Sequence, residues 1–407
     1  MDPSRARIVV VGAGQAGAAL VAKLRALGHA GPLTLVGAEP VPPYQRPPLS
    51  KGYLKGELTR ERLFLRPPSF YAGEGIELLT GTAVVGIDRA GPSVALADGR
   101  TLPYDLLALA TGSVARRLPE GQGGGLGGVL AMRDLADADR LAVAIQPGAR
   151  ALVVGGGYIG LEAAAVLAGK GLKVALVEAA PRILARVAAP ATADYFRELH
   201  RTHGVELREA AALERLTGAG GRITGALLAD GSRLVADIVL VGIGVDPNVA
   251  LARDAGLAIE NGIRVDADGR TSDPAIFAAG DCTSFPFRGH RVRLESVPNA
   301  IDQGEAVAAA MLGDTEGYRA RPWFWSDQYD VKLQIAGLNA GWNRTTVRPG
   351  PRPGSQSVWY WQGGRLLAVD AMNDPRAYMT GKRWIEAGVS PDPEAVADPA
   401  TDLKAPG

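Results

Sequence analysis

Two short apolar runs, Ile8-Val9-Val10-Val11 and Ala151-Leu152-Val153-Val154, each lead through a glycine-rich turn into an apolar stretch with helical spacing. A strand followed by a tight turn and a helix is predicted at both places. A longer pattern also occurs twice: Leu96 through Gly112 recurs, position for position, as Leu228 through Gly244. Each copy reads as a hairpin closed by an Asp-Gly turn (Asp98-Gly99, Asp230-Gly231), then a buried strand ending in Ala110-Thr111-Gly112 or Gly242-Ile243-Gly244. The chain thus carries one βαβ–hairpin–strand unit twice. The first copy is interrupted after Gly112 by the second. It resumes through Asp246-Pro247-Asn248 and finishes near Ile276-Phe277-Ala278-Ala279-Gly280-Asp281. Gly121 to Gly128 reads as a flexible crossing. From about Pro322 the pattern changes to short alternating aromatic runs, such as Ser357-Val358-Trp359-Tyr360-Trp361, joined by the Gln362-Gly363-Gly364-Arg365 turn. The predicted class is α/β: two Rossmann-like domains (1–112 with 245–322, and 113–244) and a mainly antiparallel α+β domain (323–407). The Pro- and Asp-containing tail after Ser390 is expected to be poorly ordered.

The turns themselves, Gly12-Ala13-Gly14-Gln15-Ala16-Gly17 and Gly155-Gly156-Gly157-Tyr158-Ile159-Gly160, have the spacing that lets a backbone approach a pyrophosphate at a helix N-terminus. Glycine turns also arise for packing alone, so the context carries the reading. One loop would suggest a single nucleotide. Two suggest two dinucleotides and electron traffic between them. Glu178 closes the strand Val174-Ala175-Leu176-Val177 at the remove where a carboxylate accepts from a ribose diol and repels a 2′-phosphate, which favours NADH over NADPH. In the first unit the corresponding strand end is Gly37, followed by Ala38 and Glu39, so the acid comes late.

Composition narrows the classes. With 407 residues the chain suits two or three domains. A formal net charge of +1 gives no global argument for nucleic acid or a membrane surface. The single cysteine, Cys282, rules out an intrachain redox pair, and a disulfide or peroxide reductase on this scaffold would need a redox cysteine near the first helix or loop, where none stands. The lone cysteine also rules out a protein-bound iron–sulfur cluster, and no other metal site is predicted. Cys282 follows an apolar strand and is expected to be a buried small side chain. The first strand begins too early for a signal peptide, and no run approaches the roughly 18 apolar residues of a membrane span. A soluble, cytoplasmic protein is expected.

Four further segments carry a resemblance that runs nearly end to end. Tyr44-Gln45-Arg46-Pro47-Pro48-Leu49-Ser50-Lys51, Gly280-Asp281-Cys282, Glu295-Ser296-Val297-Pro298-Asn299-Ala300 and Pro322-Trp323-Phe324-Trp325-Ser326-Asp327-Gln328-Tyr329 resemble the FAD-dependent NADH:ferredoxin reductases that serve cytochrome P450 and aromatic-ring dioxygenase systems. The resemblance implies a glutathione-reductase-like pair of nucleotide domains holding FAD and NADH. It implies that Lys51 lies beside flavin N5, paired with Glu162, and that Asp281 holds the ribityl chain. It aims the helix N-terminus at Val297 toward the flavin N1–C2=O edge, where its dipole would stabilise the reduced anion. FAD contacts are further implied at Gly12, Gly14, Ala16, Gly17, Ala38, Glu39, Arg46, Val84, Ala110, Arg133 and, on the ferredoxin side, Trp325. NADH is placed at Gly155, Gly157, Gly160, Glu178, Arg186 and Gly242 to Gly244, with Tyr158 and Ile159 under the nicotinamide. Many relatives have Asp immediately after the second-strand glycine. Here Ala38 stands there, so the FAD ribose rests on Glu39 or on backbone alone.

The implied acceptor is a [2Fe-2S] ferredoxin, itself acidic, with Arg288, His290, Arg291, Arg293, Lys382 and Arg383 as docking candidates beside the plain reading of solvated charges. A rubredoxin reductase would look the same on the donor side. An NADH-gated flavoprotein sensor resembling apoptosis-inducing factor is the alternative of another class. Neither the individual ferredoxin nor the oligomeric state is legible.

Overall fold

The computed structural model describes residues 2–314 and 316–403. By compactness the chain forms two units: Met1–Gln45, Arg60–Val114 and Asp246–Pro322 in one, and Arg46–Thr59, Ala115–Val245 and Trp323–Gly407 in the other. The sequence reading counted Arg46–Thr59 with the first nucleotide domain; its contacts group it with the second unit.

The first unit is built on five parallel strands in the order Ile276–Ala278, Leu106–Leu109, Ile8–Val11, Leu33–Val36, Ile76–Leu79. The four residues of Ile8–Val11 are all buried, as a central parallel strand with helices over its faces requires. Helices Gln15–Ala26 and Val297–Met311 pack together on one face, where Gly304 allows the approach: a Cβ there would stand 2.6 Å from the Ala16 carbonyl oxygen. The antiparallel sheet Val84–Asp88, Ser93–Leu96 and Thr101–Pro103 packs on the other.

The second unit repeats four of these strands. Glu206–Arg208, Lys173–Val177, Arg150–Val154 and Ile238–Val241 lie parallel in the same relative order, and Arg222–Leu228 is the central strand of the matching small sheet. The fifth strand breaks the symmetry. The neighbour of Ile238–Val241 is Val129–Leu130, from upstream, whereas its counterpart Ile276–Ala278 in the first unit comes from far downstream. The C-terminal segment adds a five-stranded antiparallel sheet, in the order Trp323–Gln328, Val331–Gly337, Arg365–Met372, Gln356–Gln362, Arg344–Pro349. Helix Pro375–Ala387 lies on that sheet over a core of Trp359, Trp361, Tyr378 and Trp384.

Two expectations change. The glycines of 121–128 are not a loose crossing: a Cβ at Gly124 would lie 1.9 Å from the Leu118 carbonyl oxygen, and one at Gly128 2.7 Å from Ile223. Those two are there for close packing, whereas Gly121 has nothing within 4 Å of its virtual Cβ. The tail beyond Ser390 is docked through the last described residue. It forms helix Pro393–Ala397 and buries Val396 and Leu403. The guanidinium of Arg348, itself 8% exposed, donates to the carbonyls of Val396, Asp398, Pro399 and Thr401 at 2.7–3.1 Å. Tail polarity suggested disorder, but one planar five-donor fork satisfies that backbone from a distant strand. Among the described residues no helix is long and apolar enough to cross a membrane.

Candidate functional site: two glycine cradles and a buried ion pair

In the first cradle Gly12 has φ +113°, and a Cβ on it would lie 2.1 Å from the Ala110 carbonyl oxygen. A Cβ on Gly17 would lie 2.0 Å from the Gly12 carbonyl oxygen. Those two glycines are demanded by the fold. Gly14 is different: nothing stands within 4 Å of its virtual Cβ, and no side chain caps the helix it opens. The exposed helix end therefore has room for an anion. The second cradle repeats the geometry. Gly155 would strike the Gly242 carbonyl oxygen at 2.4 Å, Gly160 the Gly155 carbonyl oxygen at 2.1 Å, and Gly157 faces open space. Both cradles fit a dinucleotide pyrophosphate.

The acids differ. Glu178 Oε2 accepts from the Gly156 amide and Oε1 from the Ala180 amide, each at 2.7 Å, so it is tied into its own glycine loop. Glu39 lies beyond Gly37 and accepts from the Tyr44 hydroxyl at 2.6 Å. Gly37 itself cannot carry a side chain, because a Cβ would lie 2.6 Å from that of Ala13. Ala38 is exposed beside it.

Around the first cradle, Gly280 (φ +85°) abuts Ala16, its amide donates to Gln303 at 2.8 Å, and Asp281 accepts from Ser113 at 3.0 Å. Helix Val297–Met311 starts at Ser296, whose hydroxyl caps the Asn299 amide; Pro298 has no N–H, and the Ala300 amide bonds back to Ser296. Among the described residues the Val297 N–H is thus the first-turn donor left over by the helix and its cap. Val84 is buried in the small sheet against the core that includes Val36. Cys282 is fully buried, and burial raises its thiol pKa, as befits a packing residue.

In the second unit Arg46 donates to the Arg133 carbonyl at 2.9 Å, which brings those two expected contacts together. Gly244 (φ +104°) sits between two guanidinium groups, with its virtual Cβ 3.6 Å from Arg186 and 3.7 Å from Arg116. Arg116, whose amide also bonds the Gly244 carbonyl at 3.0 Å, escaped the sequence reading. Ile159 is 42% exposed at the open end of the cradle. Tyr158 shows part of its ring but buries its hydroxyl, which has no partner among the described residues and whose pKa burial raises well above the usual tyrosine range. Phe324 packs on Tyr158 at 5.0 Å, and Trp325 lies beside Phe324 and stacks on Trp323.

The most constrained group is Glu162, on helix Tyr158–Gly169. Lys51 Nζ reaches Glu162 Oε2 at 2.6 Å, with side-chain exposures of 18% and 6%. Ser50 Oγ donates to the same oxygen at 2.9 Å, and Ser326 Oγ donates to Oε1 at 2.7 Å. A buried carboxylate persists only when its charge and lone pairs are met, and both oxygens here are engaged. Ser50 and Ser326 were not singled out from sequence, although both sit inside the quoted motifs. The basic candidates are partly committed elsewhere: Arg291 bonds the Val265 and Ser284 carbonyls, and Arg293 pairs with Glu295. Arg288 lies over Phe287, and Lys382 over Trp323 at 5.3 Å.

The profile of the pyridine nucleotide-disulphide oxidoreductases matches residues 6–304, and that of the reductase C-terminal domain matches 323–406. A ferredoxin–NAD(P)(+) reductase from Sphingomonas is 44% identical over 98% of this chain and 96% of its own length. The chain belongs to this family, in its ferredoxin-reductase branch. Putidaredoxin reductase from Pseudomonas putida is 42% identical over 98% of this chain and 96% of its own. The putidaredoxin reductase of a covalent complex with putidaredoxin superposes with a TM-score of 0.94 at 41% identity, covering 98% and 97% of the two chains. The family name includes disulfide reductases, but the lone buried Cys282 leaves this member without a redox pair.

Proposed function

We propose that the chain is the cytoplasmic reductase of an oxygenase system, taking electrons from NADH through FAD to a [2Fe-2S] ferredoxin that serves a cytochrome P450 or another oxygenase. The observation that carries it is the Lys51–Glu162 pair, a cation and an anion fixed at 2.6 Å beside the opening of the second cradle's helix. Bound FAD would supply the chemistry of accepting an electron pair and releasing single electrons.

The residues then have these parts. Residues 1–112 and 245–322 hold FAD: Gly12, Gly14, Ala16, Gly17 and Ala110 shape the pyrophosphate seat, Glu39 or the Ala38 backbone meets the ribose, and Asp281 anchors the ribityl hydroxyls. The Val297 N–H and the helix dipole behind it would lower the cost of negative charge on a bound flavin. Arg46, Val84 and Arg133 flank the same cofactor. Residues 113–244 hold NADH, with Gly155, Gly157 and Gly160 under the pyrophosphate and Glu178 on the adenosine ribose. Arg186 and the Gly242–Gly244 turn lie along the dinucleotide, and Tyr158 and Ile159 support the nicotinamide. Lys51 supplies positive charge to the reacting edge and Glu162 orients it. Residues 323–407, through Trp325 and the basic side chains Lys382 and Arg383, face the ferredoxin, as do Arg288 and His290.

The test mixes the purified yellow holoprotein rapidly with NADH. Lys51→Met and Glu162→Gln are expected to slow bleaching about 10- to 100-fold, and only a ferredoxin should then reoxidise the wild type quickly. Bleaching at wild-type speed in both variants refutes the assignment of the pair. A reduced protein that persists with ferredoxin but discharges to rubredoxin, or to nothing, refutes the acceptor.

A further inference from the structure

Strand Trp323–Gln328 alternates its faces, and one face places Ser326 and Gln328 in the interior beside two helices of the second unit. There they form a continuous chain. His200 Nε2 donates to Gln328 Oε1 at 2.8 Å, Gln328 Nε2 donates to Ser326 Oγ at 3.2 Å, and Ser326 Oγ donates to Glu162 Oε1 at 2.7 Å. At the far end the Tyr329 hydroxyl donates to His200 Nδ1 at 3.3 Å, and the His203 ring stacks on Tyr329 at 3.7 Å. Ser326, Gln328 and His200 are each 0% exposed.

We propose that Ser326, Gln328 and His200 are positioning residues for the reductase chemistry: a one-directional hydrogen-bond strut that holds the Glu162 carboxylate, and through it the Lys51 ammonium. The inference rests on the role given above to that pair.

Direction is set at both ends. A carboxylate only accepts, so the Ser326 hydroxyl must spend its proton on Glu162 and leaves its lone pairs to the Gln328 amide. The Gln328 carbonyl then needs a donor. Neutral His200 with its proton on Nε2 supplies one while Nδ1 accepts from Tyr329. Burial keeps the ring neutral, pushing its pKa down to about 4, helped by the neighbouring His203. Every donor points toward Glu162, so the links polarise one another in the same sense. The strut is not a proton path, because a primary amide in the middle does not pass protons at ordinary pH. Its function is geometric. Lysine has much rotamer freedom to lose, and Lys51 sits at the joint between the 3-10 turn Pro47–Ser50 and the one-turn helix Gly52–Lys55 rather than inside a long element. Anchoring its partner from a strand and a second helix confines the ammonium. The C-terminal domain thereby reaches the nicotinamide-side chemistry as well as any docking partner.

The test compares Ser326→Ala, Ser326→Thr and Gln328→Leu with Glu162→Gln in the FAD-loaded protein. Ser326→Ala should slow NADH bleaching about 10-fold and displace its pH profile, while Ser326→Thr restores both. Gln328→Leu should act in the same direction, so either variant that folds decides. A second readout needs no turnover: ¹⁵N-histidine spectra of the oxidised protein should show His200 as the Nε2–H tautomer without titration between about pH 5 and 8, and Gln328→Leu should abolish that signature. If Ser326→Ala and Gln328→Leu bleach like wild type while Glu162→Gln is slow, the strut is overturned and the ion-pair role stands. If Glu162→Gln is also fast, the role of the pair falls and the strut with it. A His200 that takes up a proton in that range overturns the one-directional chain.

Discussion

The two glycine cradles share a steric skeleton to within a few tenths of an ångström and differ in what surrounds it. Gly12 and Gly155 each face a carbonyl oxygen of the returning strand, and Gly17 and Gly160 each face the first glycine's own carbonyl. Around that skeleton the carboxylates part company: Glu178 is tied to two amides of its loop, whereas Glu39 is displaced beyond Gly37 and held by a tyrosine hydroxyl. The helices differ too. One opens on Gln15 and the other on Tyr158, whose hydroxyl is buried. The lesson is that backbone approach to a pyrophosphate admits essentially one solution, while selection of the nucleotide and coupling to chemistry are left to residues free to diverge.

The comparison breaks most sharply at the glycines. Gly12→Ala should empty the protein of flavin, and Gly155→Ala should leave it yellow but hardly bleached by NADH. Overlap with a carbonyl plus a left-handed backbone costs about 3–6 kcal/mol, or ~100-fold or more in binding. Flavin content and NADH titration distinguish the two variants.

A smaller effect belongs to the second unit alone. Buried Asp370 accepts from Tyr360 and Thr192, yet its other oxygen has no partner among the described residues. Burial pushes its pKa up from 3.8 to about 6, so the folded state holds a proton that the unfolded chain releases. Stability from this group is greatest below pH 4 and falls as pH rises toward 6, by about 3 kcal/mol at 1.36 kcal/mol per pKa unit. Denaturant unfolding of wild type and Asp370→Asn from about pH 4 to 6.5 should show wild type losing that much relative to the variant; parallel curves would remove Asp370 as the cause.

Selection comes next. Glu178→Gln gives up a loop bond and the charge proposed to repel a 2′-phosphate, so the ratio of kcat/KM for NADH to that for NADPH is expected to drop about 10-fold. The smallest change is expected for Glu39→Gln, a two- to five-fold weakening of FAD, about 0.5–1 kcal/mol, on the proposal that the Ala38 backbone shares the ribose with it. A large loss there would show that the displaced acid matters as much as Glu178.

Both parallel sheets were readable from the apolar runs and the repeated Asp-Gly hairpins, because those signals are local. The insertion order followed from where the repeat breaks. Other features depend on partners remote in sequence. Ser50, Glu162 and Ser326 converge from three segments, and nothing local marks a serine as a carboxylate's donor. Arg116 was missed because it precedes the sheet it serves. Arg348 reads as one more surface cation until the tail carbonyls around it are seen, and Gly124 and Gly128 announce freedom where the fold uses their small size.

The outer strand Ile276–Ala278 has a consequence for how the protein is made. It pairs with Leu106–Leu109 and leads into Asp281, yet it leaves the ribosome only after Arg150–Val241 has emerged. The inserted parallel sheet has its strands in hand first, so nascent chains halted before Asp281 should have assembled the inserted unit's sheet while, on the flavin site proposed above, still being unable to retain flavin.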